Sequence, residues 1–62
     1  MDEKTKDLLV RAVIAFPDGF SWWRHNGRHR IEPEKAGDDW ADFGVEGDSL
    51  DEALTALLTR AA

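Results

Sequence analysis

The dipeptide Asn26-Gly27, lying between "FSWWRH" and "RHRIEP", constrains this chain more than any other feature. A two-residue hairpin loop of type I′ needs positive φ at both central residues, and Asn-Gly is the pair that adopts it most readily. A loop that short also sets the strand register. His25 then faces Arg28, Arg24 faces His29, Trp23 faces Arg30 and Trp22 faces Ile31. Side chains alternate across a strand, so Phe20, Trp22 and Ile31 share one face, and Trp23, His25, Arg28 and Arg30 share the other. The expectation is that Trp22 enters the core. Trp23 stays on the open face, where Arg30 can cover its ring by a cation–π contact.

The flanking segments supply the other elements. Leu8, Leu9, Ala12, Val13 and Phe16 recur at helical spacing, with Lys4, Asp7 and Arg11 opposite, which predicts a helix from about Glu3 to Phe16. Pro17-Asp18-Gly19 stops it, because proline breaks the hydrogen-bond ladder and glycine accepts a left-handed turn. After a polar loop, Glu32 to Asp39, a third strand is predicted over about Trp40 to Val45. Ala41, Phe43 and Val45 would face the core, with Trp40 and Asp42 on the open face, unless the register slips by one residue and buries Trp40. Gly47-Asp48 ends that strand. "SLDE" then opens a last helix as a capping box, Ser49 accepting from the Glu52 amide while the Glu52 carboxylate reaches back. Leu50, Ala53, Leu54, Leu57, Leu58 and Ala61 make its apolar stripe. The order α-β-β-β-α predicts an α+β two-layer sandwich, a three-stranded antiparallel sheet with both helices on one face.

Sixty-two residues are read as one domain, 1–62, near the lower size limit for unaided folding. With no cysteine, neither a disulfide nor a thiolate metal site can contribute. The apolar run Leu8 to Phe16 contains Arg11 and follows acids as well as lysines, unlike a signal peptide, and no stretch approaches the roughly 20 apolar residues of a membrane span. The expectation is a soluble protein of a bacterial cytoplasm. The net charge of −5 is unevenly placed. Residues 24–35 carry four bases and two acids, whereas residues 36–62 carry seven acids and one base. Such asymmetry suggests a charged partner surface.

Catalytic patterns are weak. His25 and His29 point to opposite faces of the hairpin, so they cannot readily share a metal or relay a proton. Ser21 and Ser49 have structural roles as a strand residue and a helix cap. "DDWAD" lacks the alternating oxygen ligands and central glycine of a calcium loop, and no phosphate-cradling glycine loop is present. The expectation is a protein without enzymatic activity, metal or cofactor.

Two surfaces could bind a partner. Trp23, His25, Arg28 and Arg30 combine aromatic planes with positive charge, as single-strand nucleic-acid platforms do. A solvated sheet face held by cross-strand pairs, including Arg28 or Arg30 with Asp42, accounts for the same residues. The acids Asp38, Asp39, Asp42, Glu46, Asp48, Asp51 and Glu52 fall within fifteen residues and would line one rim over roughly 20 Å. A row of carboxylates can occupy a channel built for the phosphates of duplex DNA. Edge protection and helix capping are the ordinary roles of such acids.

The α-β-β-β-α order resembles the double-stranded-RNA-binding domain in topology alone. The acidic "GDSLDE" stands where that family has a lysine-rich helix start, and the two-residue loop is too short to reach a groove. In small size, acidity, absence of cysteine and a carboxylate-lined rim, the chain resembles the small phage-encoded anti-CRISPR proteins, which share no motif. That resemblance implies a stoichiometric inhibitor, monomeric or weakly dimeric, whose seven acids contact a basic nucleic-acid-binding partner such as a Cas effector complex. The alternatives are a nucleic-acid-binding module using Trp23, Arg28 and Arg30, or an antitoxin-like domain that docks on a protein.

Overall fold

The computed structural model describes residues 2–34 and 44–61. The expectations placed on Asp38, Asp39, Trp40, Ala41, Asp42 and Phe43 lie outside the described residues. The elements are α1 (Glu3–Ala15), β1 (Phe20–His25), β2 (Arg28–Pro33), β3 (Val45–Gly47) and α2 (Leu50–Ala61). They form an α+β fold of the order α-β-β-β-α, with an antiparallel sheet of strand order β1-β2-β3.

Asn26 and Gly27 both take positive φ, 52° and 80°, as a type I′ turn requires. The register that follows is the one the loop length dictates, from His25 opposite Arg28 to Phe20 opposite Pro33. β3 continues the ladder, with Ile31 opposite Val45, Arg30 opposite Glu46 and His29 opposite Gly47. The strand thus runs through Gly47 rather than ending before it.

α1 is capped by Asp2, whose side chain accepts the Thr5 amide at 2.9 Å. It ends at Ala15, one residue earlier than its apolar pattern suggests, with Phe16 as the cap, whose amide still reaches the Ala12 carbonyl at 2.9 Å. Gly19, with φ 96°, completes the turn into β1. α2 starts with the predicted box. The Glu52 amide donates to Ser49 Oγ at 3.1 Å, and the Glu52 carboxylate accepts from the Asp48 amide at 2.9 Å, one residue further back than the usual partner.

Ala12, Ile31, Val45, Ala53, Leu54 and Leu57 form the buried core, flanked by half-buried Leu8, Leu9, Phe16, Phe20, Leu50 and Leu58. α2 lies against β2 and β3, and α1 lies against α2. This arrangement corrects two expectations. Val13 is exposed, because α1 turns the Leu8–Leu9–Ala12 side of its stripe inward. Trp22 is not a core residue: it lies on the helix-bearing side of the sheet, yet 51 % of its surface is open. A helix is about 10–12 Å across and strands are about 4.8 Å apart, so α2 covers two strands and leaves the third bare.

Candidate binding surface

The open face of the sheet carries a chain of charges. Arg30, set between its neighbours Trp23 on β1 and Glu46 on β3, holds Glu32 at 2.8 Å and Glu46 at 3.0 Å. Arg28 reaches the other Glu46 oxygen at 3.7 Å and Asp48 at 3.0 Å. The sequence Glu32–Arg30–Glu46–Arg28–Asp48 therefore alternates in sign across β2, β3 and the turn after it. The hydrogen bond to Glu32 is the main influence raising the Arg30 guanidinium above its already high ordinary pKa, with that to Glu46 adding to it. Gly44 makes room for this contact. A Cβ there would lie 2.3 Å from an Arg30 guanidinium nitrogen and 3.0 Å from Glu32 Cγ.

Four of the seven candidate acids are among the described residues, and each has an internal partner. Glu46 uses both oxygens on arginines. Asp48 Oδ1 is held by Arg28, although its side chain remains 80 % exposed. Asp51 Oδ1 accepts the Thr5 hydroxyl, tying the start of α2 to α1. Glu52 Oε2 caps the helix through the Asp48 amide. Among the described residues, Asp48, Asp51 and Glu52 thus each have one oxygen engaged by a donor of the chain. They sit together on the corner where β3 passes into α2. Lys4 of α1 joins Asp51, Glu52, Thr55 and Ala56 around an open depression of about 320 Å³ beside that corner.

The aromatic residues divide as the register requires. Trp23 stays on the open face with Arg28 and Arg30, 39 % exposed, and His25 is exposed at the turn. On the other side Trp22 stacks on His29, ring centroids 5.9 Å apart and planes 13° from parallel, and its indole N–H donates to His29 Nδ1 at 3.1 Å. Arg24 lies opposite His29 and donates to the Gly27 carbonyl at 3.2 Å. The Trp22–His29 pair was absent from the candidate residues, although both lie on one face in the hairpin register. Pattern alone assigned that face to the core.

Among the described residues no three His, Asp or Glu side chains are grouped to hold a metal ion. No helix there is long and apolar enough to cross a membrane. No family model matches the sequence, no curated protein matches it, and no solved structure matches the fold.

Proposed function

We propose that this chain is a small acidic binding protein that acts by stoichiometric occupancy, filling the basic nucleic-acid-binding surface of a partner of the kind represented by Cas effector complexes. The observation that carries the reading is the state of the carboxylates at the β3–α2 corner. Asp48, Asp51 and Glu52 are each fixed through one oxygen by a donor of the chain itself. A carboxylate has about four lone-pair sites, so one internal hydrogen bond orients it and leaves acceptor capacity for an incoming lysine or arginine. Ordering such groups beforehand removes part of the entropy lost on binding. Asp38, Asp39 and Asp42 extend the same acidic run in sequence. Glu46 is assigned to the fold, since both its oxygens are used by arginines.

The charge ladder weighs against the nucleic-acid reading of the open face. Arg28 and Arg30 are shared among Glu32, Glu46 and Asp48, so the strip that includes them holds three acids to two bases. Such a strip offers phosphates little net attraction.

Charge reversal tests the proposal. The test is the combination Asp38→Lys with Asp42→Lys. It is expected to abolish salt-sensitive capture of a nucleic-acid-binding complex from nuclease-treated bacterial lysate while the circular-dichroism spectrum is kept. Capture at the wild-type level by the folded double variant would refute it.

A further inference from the structure

Among the described residues no strand lies beside the outer edge of β1, and that edge is built in a way that specifies what can pair with it. Hydrogen bonds in an antiparallel ladder alternate, so every second residue of an edge strand points its N–H and C=O away from the sheet. The turn sets the phase. In a four-residue turn the first carbonyl accepts from the fourth amide, so His25, the first turn residue, points toward β2, and so do Trp23 and Ser21. Two observations agree with that phase. The Gly19 carbonyl accepts the Glu34 amide at 2.9 Å, and Pro33, which has no N–H, sits opposite Phe20, where β1 requires none. Phe20, Trp22 and Arg24 therefore present three donors and three acceptors outward. None of them has a backbone partner outside the hairpin among the described residues.

Edge strands are commonly shielded by charged side chains, above all lysine, by proline or by a bulge. The middle of this one, Ser21-Trp22-Trp23, has none of these. It instead exposes an indole on each face, Trp22 by 51 % and Trp23 by 39 %. Arg24 beside them makes no ion pair among the described residues.

We infer that the occupant of this edge is a second copy of the same chain, joined antiparallel along β1 into a six-stranded sheet. Direct partners in such a ladder are either both hydrogen-bonded or both not. An outward residue must therefore meet an outward residue, so Trp22 can face Phe20, Trp22 or Arg24 of the second copy but never Trp23. Partners also share a face, which places all four helices on one side of the joined sheet and both Trp23 rings on the other. One register uses every outward group: Trp22 opposite Trp22, and each Arg24 opposite the Phe20 of the other copy, with six backbone hydrogen bonds. It stacks the two indoles on the bare part of the sheet beside α2. It also sets each guanidinium against an aromatic ring rather than against its twin.

The area sets the strength. A tryptophan offers at most about 250 Å², so the exposed parts of the two indoles supply on the order of 200 Å² per chain. With Ser21, Arg24, His25 and the edge backbone added, the total stays in the weak class below about 1,200 Å². The dimer should form toward millimolar concentration and dissociate at low micromolar. This inference uses no carboxylate, so its failure leaves the acidic reading untouched.

Sedimentation equilibrium from about 1 μM to about 1 mM is the first test, and the mass should rise from one chain toward two. Trp22→Glu, which sets two carboxylates face to face at the two-fold axis, should weaken association at least about 100-fold. Val13→Glu, on exposed α1, should leave it unchanged. Hydrogen exchange of the wild type gives a readout that needs no variant. The amides of Phe20, Trp22 and Arg24 should gain several-fold protection with concentration, while those of Ser21 and Trp23 are protected throughout. A single-chain mass over the whole range, association that survives Trp22→Glu, or exchange at Phe20, Trp22 and Arg24 that ignores concentration would each overturn the inference.

Discussion

Gly47 lies where β3 passes close under the first turn of α2, and its lack of a side chain is what permits the approach. A Cβ there would lie 2.6 Å from the Ala53 nitrogen and 2.7 Å from Glu52 Cβ. Those neighbours are backbone or close to it, so they cannot swing aside, and Ala53 also donates to the Ser49 carbonyl at 3.1 Å. Gly47→Ala is expected to destabilise the fold by about 1–3 kcal/mol, the usual cost of overpacking, by forcing β3 and α2 apart. In a domain of this size that lowers the thermal midpoint by roughly 4–8 °C per kcal/mol. A midpoint within error of wild type would refute the close approach. Gly44 differs, because the atom in the way is the end of the Arg30 side chain, which can move. Neither glycine announces its role in the sequence. A composition that marks turns does not tell a turn glycine from one beneath a helix.

At the level of elements, the parts written in local chemistry were legible: Asn26-Gly27 and its register, the Ser49–Glu52 box, and both helices to within a residue. These depend on neighbours a few positions away, where sequence spacing and spatial distance agree. Trp22 departs from its expected burial because alternation assigns a side chain to a face and says nothing of whether a helix covers that part of it. The charge ladder was half legible. The expected pairing of Arg28 or Arg30 with Asp42 lies outside the described residues, whereas Glu46, opposite Arg30 on β3, is held by both arginines. The α1 cap carries a pH dependence. Asp2 accepts the Thr5 amide, and that bond holds its carboxyl below the ordinary value of 3.8. A carboxyl with a lowered folded-state pKa contributes stability above its unfolded value and loses that contribution as pH falls through the folded one. Asparagine caps helices about as well as aspartate. Asp2→Asn should therefore melt slightly below wild type at neutral pH, and the gap should close as pH drops below 3.8. Thermal melts that stay parallel from pH 7 to pH 2.5 would contradict the assignment.

On the scale of the whole molecule, the small core and uneven charge describe a protein whose surface carries most of its information. Among the described residues, a core of six buried apolar side chains holds together a sheet with a charge-laddered face. The excess of acids then lies in the run from Asp38 to Glu52. Three carboxylates of that run are each engaged by a donor of the chain through one oxygen. The sequence shows the excess plainly. Which acids the fold uses internally emerges only when the strands bring Arg28 and Arg30 beside Glu46 and Asp48. If the chain works by standing in for phosphate, it and DNA must exclude each other from the same basic surface. The decisive measurement is capture of a nucleic-acid-binding complex on the immobilised chain, repeated with increasing duplex DNA at constant ionic strength. The account predicts that DNA displaces the partner completely and in proportion to its own affinity. A partner that stays bound at saturating DNA, with both ligands held at once, would contradict it.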